Sequence, residues 1–118
     1  MPVGKRELAR IERRLIATLT DACESAKSEI KGFTWLTHTA DLNALAATLK
    51  VIWVFDTEAD KHLALTQAKA RIFELTATAL READIDLPAS ERNVCFDSEQ
   101  ACMRSHGGNW RERLARYS

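Results

Sequence analysis

Five side chains able to carry acid–base chemistry lie near the middle of the sequence: His38, Asp41, Asp56, Asp60 and His62. A carboxylate beside an imidazole is how a general base is oriented or a metal ligand steadied. Cys102 and His106 form a second set, because residues four apart on a helix share a face and could make a thiolate–imidazole pair. The third set is cationic. Lys5, Arg6, Arg10, Arg13 and Arg14 crowd one end of the chain, and Arg104, Arg111, Arg113 and Arg116 crowd the other, close to Trp110 and Tyr117. Adjacent termini would make these a surface for phosphates or acidic side chains, with the aromatic rings as stacking faces.

Each set also has a plainer reading. His38 ends one predicted strand and Asp56 the next, so antiparallel pairing would leave them about a strand length apart, ~17–20 Å. Asp56 and Glu58 suit the positive end of a helix, with His62 a solvated residue in its first turns. None of the metal-ligand spacings HxH, HExxH or CxxC occurs, and Cys95 sits between the apolar Val94 and Phe96. No cofactor is implied. With glycine only at 4, 32, 107 and 108, neither dinucleotide nor phosphate loops can be written. Ser98 lies in no nucleophile elbow and suits a helix cap. The arginines could equally be a solvated helix face diluted by Glu7, Glu12 and Glu112.

The elements that must position these residues are readable from periodicity. Leu8, Ile11, Leu15, Leu19, Ala22, Ala26 and Ile30 step by three and four, which predicts a long amphipathic helix closed by Gly32. Phe33 to His38 is β-branched and aromatic and predicts a strand, with Phe33, Trp35 and Thr37 on one face. Leu49 to Asp56 is apolar on both faces, the pattern of an interior strand. A helix capped by Thr57 is expected to run unbroken to about Ala83, along Lys61, Leu65, Ala68, Ile72, Leu75 and Ala79. A loop holding Pro88, a short strand over Asn93–Phe96 and a short helix capped by Asp97 or Ser98 follow. The last helical segment carries Trp110, Leu114 and Tyr117 on one side and is expected to dock.

The expected fold class is therefore α+β: an α-β-β-α-β(α) two-layer sandwich, a three-stranded sheet covered by two long helices, with short C-terminal helices. The 118 residues suit a single domain, with disorder expected at residues 1–5. No run approaches the ~20 apolar residues that span a membrane. Three cysteines without a CxxC pair, and a start lacking an apolar signal core, predict reduced thiols and a cytoplasmic location. Net charge is zero, so nucleic acid could be held only by a local patch.

The block Phe33-x-Trp35-Leu36-Thr37-His38, followed by Leu49-x-Val51-x-Trp53-Val54-Phe55-Asp56-Thr57, resembles a family of short proteobacterial proteins sometimes labelled Fis-type transcriptional regulators. A true Fis protein is all-helical and ends in a helix-turn-helix. Here strands are predicted, and too few residues follow Gly108 for that motif. The resemblance consequently carries over no binding residues. The element order is also similar to the type II K-homology module, which clamps single-stranded nucleic acid with a GXXG loop. Residues 33–106 contain no glycine, so that clamp is missing.

Together these features predict a small non-enzymatic binding or regulatory protein. Nucleic acid or an acidic protein is the candidate partner, held by Arg6, Arg10, Arg13, Arg14, Arg104, Arg111, Arg113, Arg116 and Trp110. A homodimer is the candidate assembly. The alternatives are a small enzyme using His38 or the Asp56/His62 region, and a structural subunit of a homo-oligomer.

Overall fold

The computed structural model describes residues 4–117. Of the stretch 1–5 expected to be disordered, residues 1–3 lie outside the described residues, while Gly4 caps and Lys5 begins the first helix. That helix, α1 (Lys5–Glu29), buries the expected stripe of Leu15, Leu19, Ala22 and Ala26. Gly32, at φ +79°, turns the chain into β1 (Phe33–Thr39). A methyl group on Gly32 would overlap the Asp60 side chain, so the turn needs glycine on both counts. A 3-10 turn (Leu42–Ala44) and the single-turn α2 (Leu45–Thr48) lead to β2 (Lys50–Phe55).

The sheet has the order β1-β2-β3, with β1 antiparallel to β2 and β2 parallel to β3 (Val94–Ser98). The two-sided apolar β2 is thus central, as its sequence predicts. Its residues 51–55 are fully buried on both faces. Val51, Trp53 and Phe55 join the main core under α1, together with Phe33, whose ring centroid lies 5.0 Å from that of Trp53.

Two local expectations are corrected. The first concerns β1, whose pairing slips between Phe33 and Trp35. Thr34 is the extra residue, and its hydroxyl donates to the Val54 carbonyl (3.0 Å). Such a bulge inverts the facing of everything after it. Leu36 and His38 therefore share the α1 side with Phe33, opposite Trp53 and Val51, while Trp35 and Thr37 move to the other side opposite Val54 and Ile52.

The second concerns the helix expected from Thr57 to Ala83, which is two: α3 (Glu58–Gln67) and α4 (Lys69–Glu82), joined at Ala68 with φ −126° and ψ 7°. Thr57 caps α3 as expected, accepting from the Asp60 N–H (3.0 Å). The break follows from what each half must cover. α3 packs toward β2 and β3 and buries only Ala64, whereas α4 packs along α1 and buries Ile72, Leu75, Thr76, Ala79 and Leu80. One straight helix cannot present both surfaces, and no glycine or proline signals the bend. Thr76 donates to the Ile72 carbonyl (2.8 Å) and accepts from Trp53 Nε1 (3.1 Å), which ties α4 to the sheet.

Beyond β3, α5 (Glu99–His106) and α6 (Trp110–Leu114) with a terminal 3-10 turn (Ala115–Tyr117) fold back. Ser98 and Asn109 cap the two helices, and Gly107 at φ +60° ends α5. Asp97 points to the side of Val54 and away from α1, so the segment docked on it covers the second face of the sheet.

Candidate functional site

The second face holds a closed polar cluster. Asp97 lies inside β3, 2% exposed, where a lone carboxylate would be costly. Arg113 of α6, 7% exposed, meets it with two parallel bonds, Nε to Oδ2 and Nη2 to Oδ1, each 2.8 Å. The Tyr117 hydroxyl donates to Oδ2 (2.7 Å), and the Ser98 N–H to Oδ1 (2.8 Å). The remaining guanidinium nitrogen, Nη1, donates to Ser105 Oγ (2.5 Å). Burial alone would raise the carboxyl of Asp97. Hydrogen bonds from Arg113, Tyr117 and the Ser98 backbone outweigh it and hold the group below the usual carboxylate range. The same burial, with the bond to Asp97, pushes the Tyr117 hydroxyl up.

Glu99, in the first turn of α5, extends the cluster by accepting from two indoles, Trp35 Nε1 (2.6 Å) and Trp110 Nε1 (3.2 Å). The two rings meet edge-to-face with centroids 4.9 Å apart. One carboxylate thus clamps the end of the chain to β1.

The α1 side of β1 is open by contrast. Ile16, Leu19, Thr20, Cys23, Leu36 and His38 border a groove of about 310 Å³ between the helix and the strand, with Glu24 at its rim. Ile16 is 47% exposed. Burial lowers the affinity of the half-buried His38 for a proton, against a smaller opposing pull from Glu12. Cys23 and His38 share the groove, but no hydrogen bond joins them among the described residues.

The structure sorts the predicted residues as follows. His38 and Asp56 sit at opposite ends of the β1–β2 pair, since His38 faces Val51 and Phe33 faces Phe55. Asp41 caps the 3-10 turn, accepting from the Asn43 N–H (3.0 Å). Asp56 and His62 are exposed, and Glu58 pairs with Lys61 (2.9 Å) and Ser98 Oγ (2.9 Å). Lys61 holds the Glu58 carboxyl below its ordinary range. Cys102 is fully buried with its thiol pushed up by desolvation, while His106 Nδ1 lies 2.7 Å from Ser105 Oγ, so the Cys102/His106 pair does not form.

The cationic set divides. Arg113 is a buried structural ion, not a surface cation, and Trp110 and Tyr117 spend their polar atoms on Glu99 and Asp97. That corrects the expectation of stacking faces amid free arginines. Arg10 pairs with Glu7 (2.6 Å) and Arg14 with Asp84 (2.8 Å). Arg6, Arg13, Arg104, Arg111 and Arg116 are exposed. The α1 arginines lie on the helix covering the Trp53 face, and the tail arginines on the segment covering the Asp97 face. The two groups are separated by the sheet.

Sequence reading missed Asp97, Glu99 and the groove. An acidic residue two places past the apolar Cys95, followed at a distance by Arg and Tyr, was the available signal for the first. Trp35 was placed on the wrong face by the unseen bulge, which hid its bond to Glu99. Compared with known proteins, the chain matches no family model, no curated protein and no solved structure.

Proposed function

We propose that this chain is a non-enzymatic protein-binding module whose docking element is the outer edge of β1 with the groove beside it. The observation that carries the reading is an uncharged edge strand of seven residues lying next to a half-exposed apolar channel. An open edge offers a row of backbone donors and acceptors to an extended partner, and an adjacent groove adds side-chain selectivity. The buried charged side chains, Asp97 and Arg113, are spent on each other, which favours binding over catalysis as the work of this fold. Free thiols at Cys23, Cys95 and Cys102 support a reducing, cytoplasmic setting.

Selection from a display library of extended peptides, followed by amide-exchange mapping of the bound complex, tests the reading. Protection concentrated on Trp35–Thr39 is expected. Binders that protect other surfaces and leave β1 unchanged would refute it.

A second reading rests on the recess bounded by Arg6, Glu7, Ala9, Arg10 and Arg13 at the start of α1, about 330 Å³, as a seat for an acidic partner or a nucleic-acid phosphate that would compete with Glu7 for Arg10. Titration with single-stranded RNA, duplex DNA and an acidic peptide at low salt tests it, because phosphate contacts are strongest there. Absence of binding by all three removes it.

A further inference from the structure

We propose that the partner of the β1 edge is a second copy of this chain, the two β1 strands pairing antiparallel about a two-fold axis to give one six-stranded sheet. The inference rests on the binding-module reading and names its occupant. Three observations support it.

The first is the lack of protection along the strand. Proteins guard open edges with lysines, prolines, short length or bulges. After its bulge at Thr34, β1 continues as Trp35-Leu36-Thr37-His38-Thr39 with no charged side chain or proline. The opposite edge, β3, is shorter at five residues and carries Asp97 on one of its faces. An antiparallel β1–β1′ ladder would satisfy the backbone groups that point away from β2, and a strand is its own complement under a two-fold axis.

The second is the groove. An axis perpendicular to the sheet keeps the second α1 on the same face, running antiparallel alongside the first. The half-exposed Ile16 and the groove-lining Thr20 and Cys23 would then be covered by their own counterparts.

The third is charge. Arg13, Ile16, Thr20, Glu24 and Lys27 recur every three or four residues along one flank of α1, with Glu12 beside Arg13. Each end of the flank therefore carries one acid and one base. Antiparallel juxtaposition centred near Leu19 brings Arg13 of one copy within about one residue of Glu24 of the other, and Glu12 within about one residue of Lys27. Parallel juxtaposition would set like charges against each other.

Sedimentation of the full chain from low micromolar to near-millimolar concentration, with amide exchange on the same samples, tests the proposal. The expected result is a concentration-dependent dimer in which Trp35–Thr39 gain protection. Arg13→Glu and Glu24→Arg should each weaken it by about tenfold, and the double exchange R13E/E24R should recover most of the loss. Ile16→Asp should weaken it further still. All three positions are solvent-exposed, and unchanged thermal melting at low concentration confirms that the variants fold. A chain that stays monomeric throughout overturns the proposal, as does a dimer whose β1 exchange is unaltered or whose charge exchange gives no recovery. A monomer that still captures peptides on β1 would leave the binding-module reading standing while removing this one.

Discussion

The two faces of the sheet treat polar groups in opposite ways. On the Asp97 side, a carboxylate, a guanidinium and a phenol are withdrawn from water and satisfied by one another, and Glu99 binds two indoles at once. On the α1 side near the edge, His38, Cys23 and Ile16 border a channel that nothing else among the described residues fills. The first region is connected so fully that it has no valence left for a ligand. The second is incomplete. A dense polar cluster, which draws the eye as a candidate site, is here the fastening of the C-terminal segment, and the sparse apolar channel is the better candidate for recognition.

The sharpest way to break this contrast is to remove one partner of the buried pair. Asp97→Ala leaves the Arg113 guanidinium buried without its counter-charge, an arrangement that costs about 3–5 kcal/mol. The urea midpoint should fall accordingly. Replacing both residues at once, D97L/R113M, should cost clearly less than the sum of the single changes, because no charge is then stranded. If Asp97→Ala is as stable as the parent, the pair is not the fastening described.

Glu99→Ala should have the next largest effect. It leaves the indole N–H groups of Trp35 and Trp110 without their shared acceptor, in a partly buried setting where an unpaired donor costs about 1–3 kcal/mol. The loss should appear both as reduced stability and as a red-shifted tryptophan emission, since undocking α6 exposes Trp110. An unshifted spectrum would mean that the clamp is not what holds the segment.

Where sequence and structure part company, the cause is geometric. The long helix and the interior strand were legible because apolar periodicity and two-sided burial are written residue by residue, as in Leu15-Leu19-Ala22-Ala26 and Val51–Phe55. The break at Ala68 was not, because Ala68 is an ordinary helical residue and the bend is imposed by the surfaces that Ala64 and Ile72 must reach. Nor was the bulge at Thr34, whose single extra residue reverses Trp35, Leu36, Thr37 and His38 together. Arg113 illustrates the remaining gap. In composition it is one more tail arginine, and only its placement opposite Asp97, sixteen positions away along the chain, separates it from exposed Arg111 and Arg116.

Acid separates the two faces by pH window. Asp97 has a folded-state value below its unfolded one, so its contribution is complete above the ordinary carboxylate value of about 3.9 and is lost as pH falls through the lower folded value. His38 is also held below its ordinary value, but a histidine kept neutral opposes folding once the unfolded chain protonates. Its contribution is complete above about 6.5 and declines as pH falls from there toward the folded value. The groups facing it are Glu12, Glu24 and Cys23 on α1. Stability should therefore decline modestly as pH falls below about 6.5 and more steeply below about 4, with His38→Gln removing only the upper decline. Persistence of the upper decline in that variant would show that His38 is not the group behind it.

The smallest effect separates the faces through their thiols. Cys102 is fully buried behind the docked C-terminal segment and its thiol is pushed up by desolvation, and Cys95 is half-buried and pushed the same way. Cys23 is partly exposed at the groove. A thiol reagent at neutral pH should modify Cys23 first and Cys102 last, because only accessible thiolate reacts. Glu99→Ala should speed Cys102 selectively, whereas raising protein concentration should slow Cys23 selectively if copies meet across β1. A Cys23 rate independent of concentration, in a sample shown to be dimeric, would place the contact between copies away from the channel.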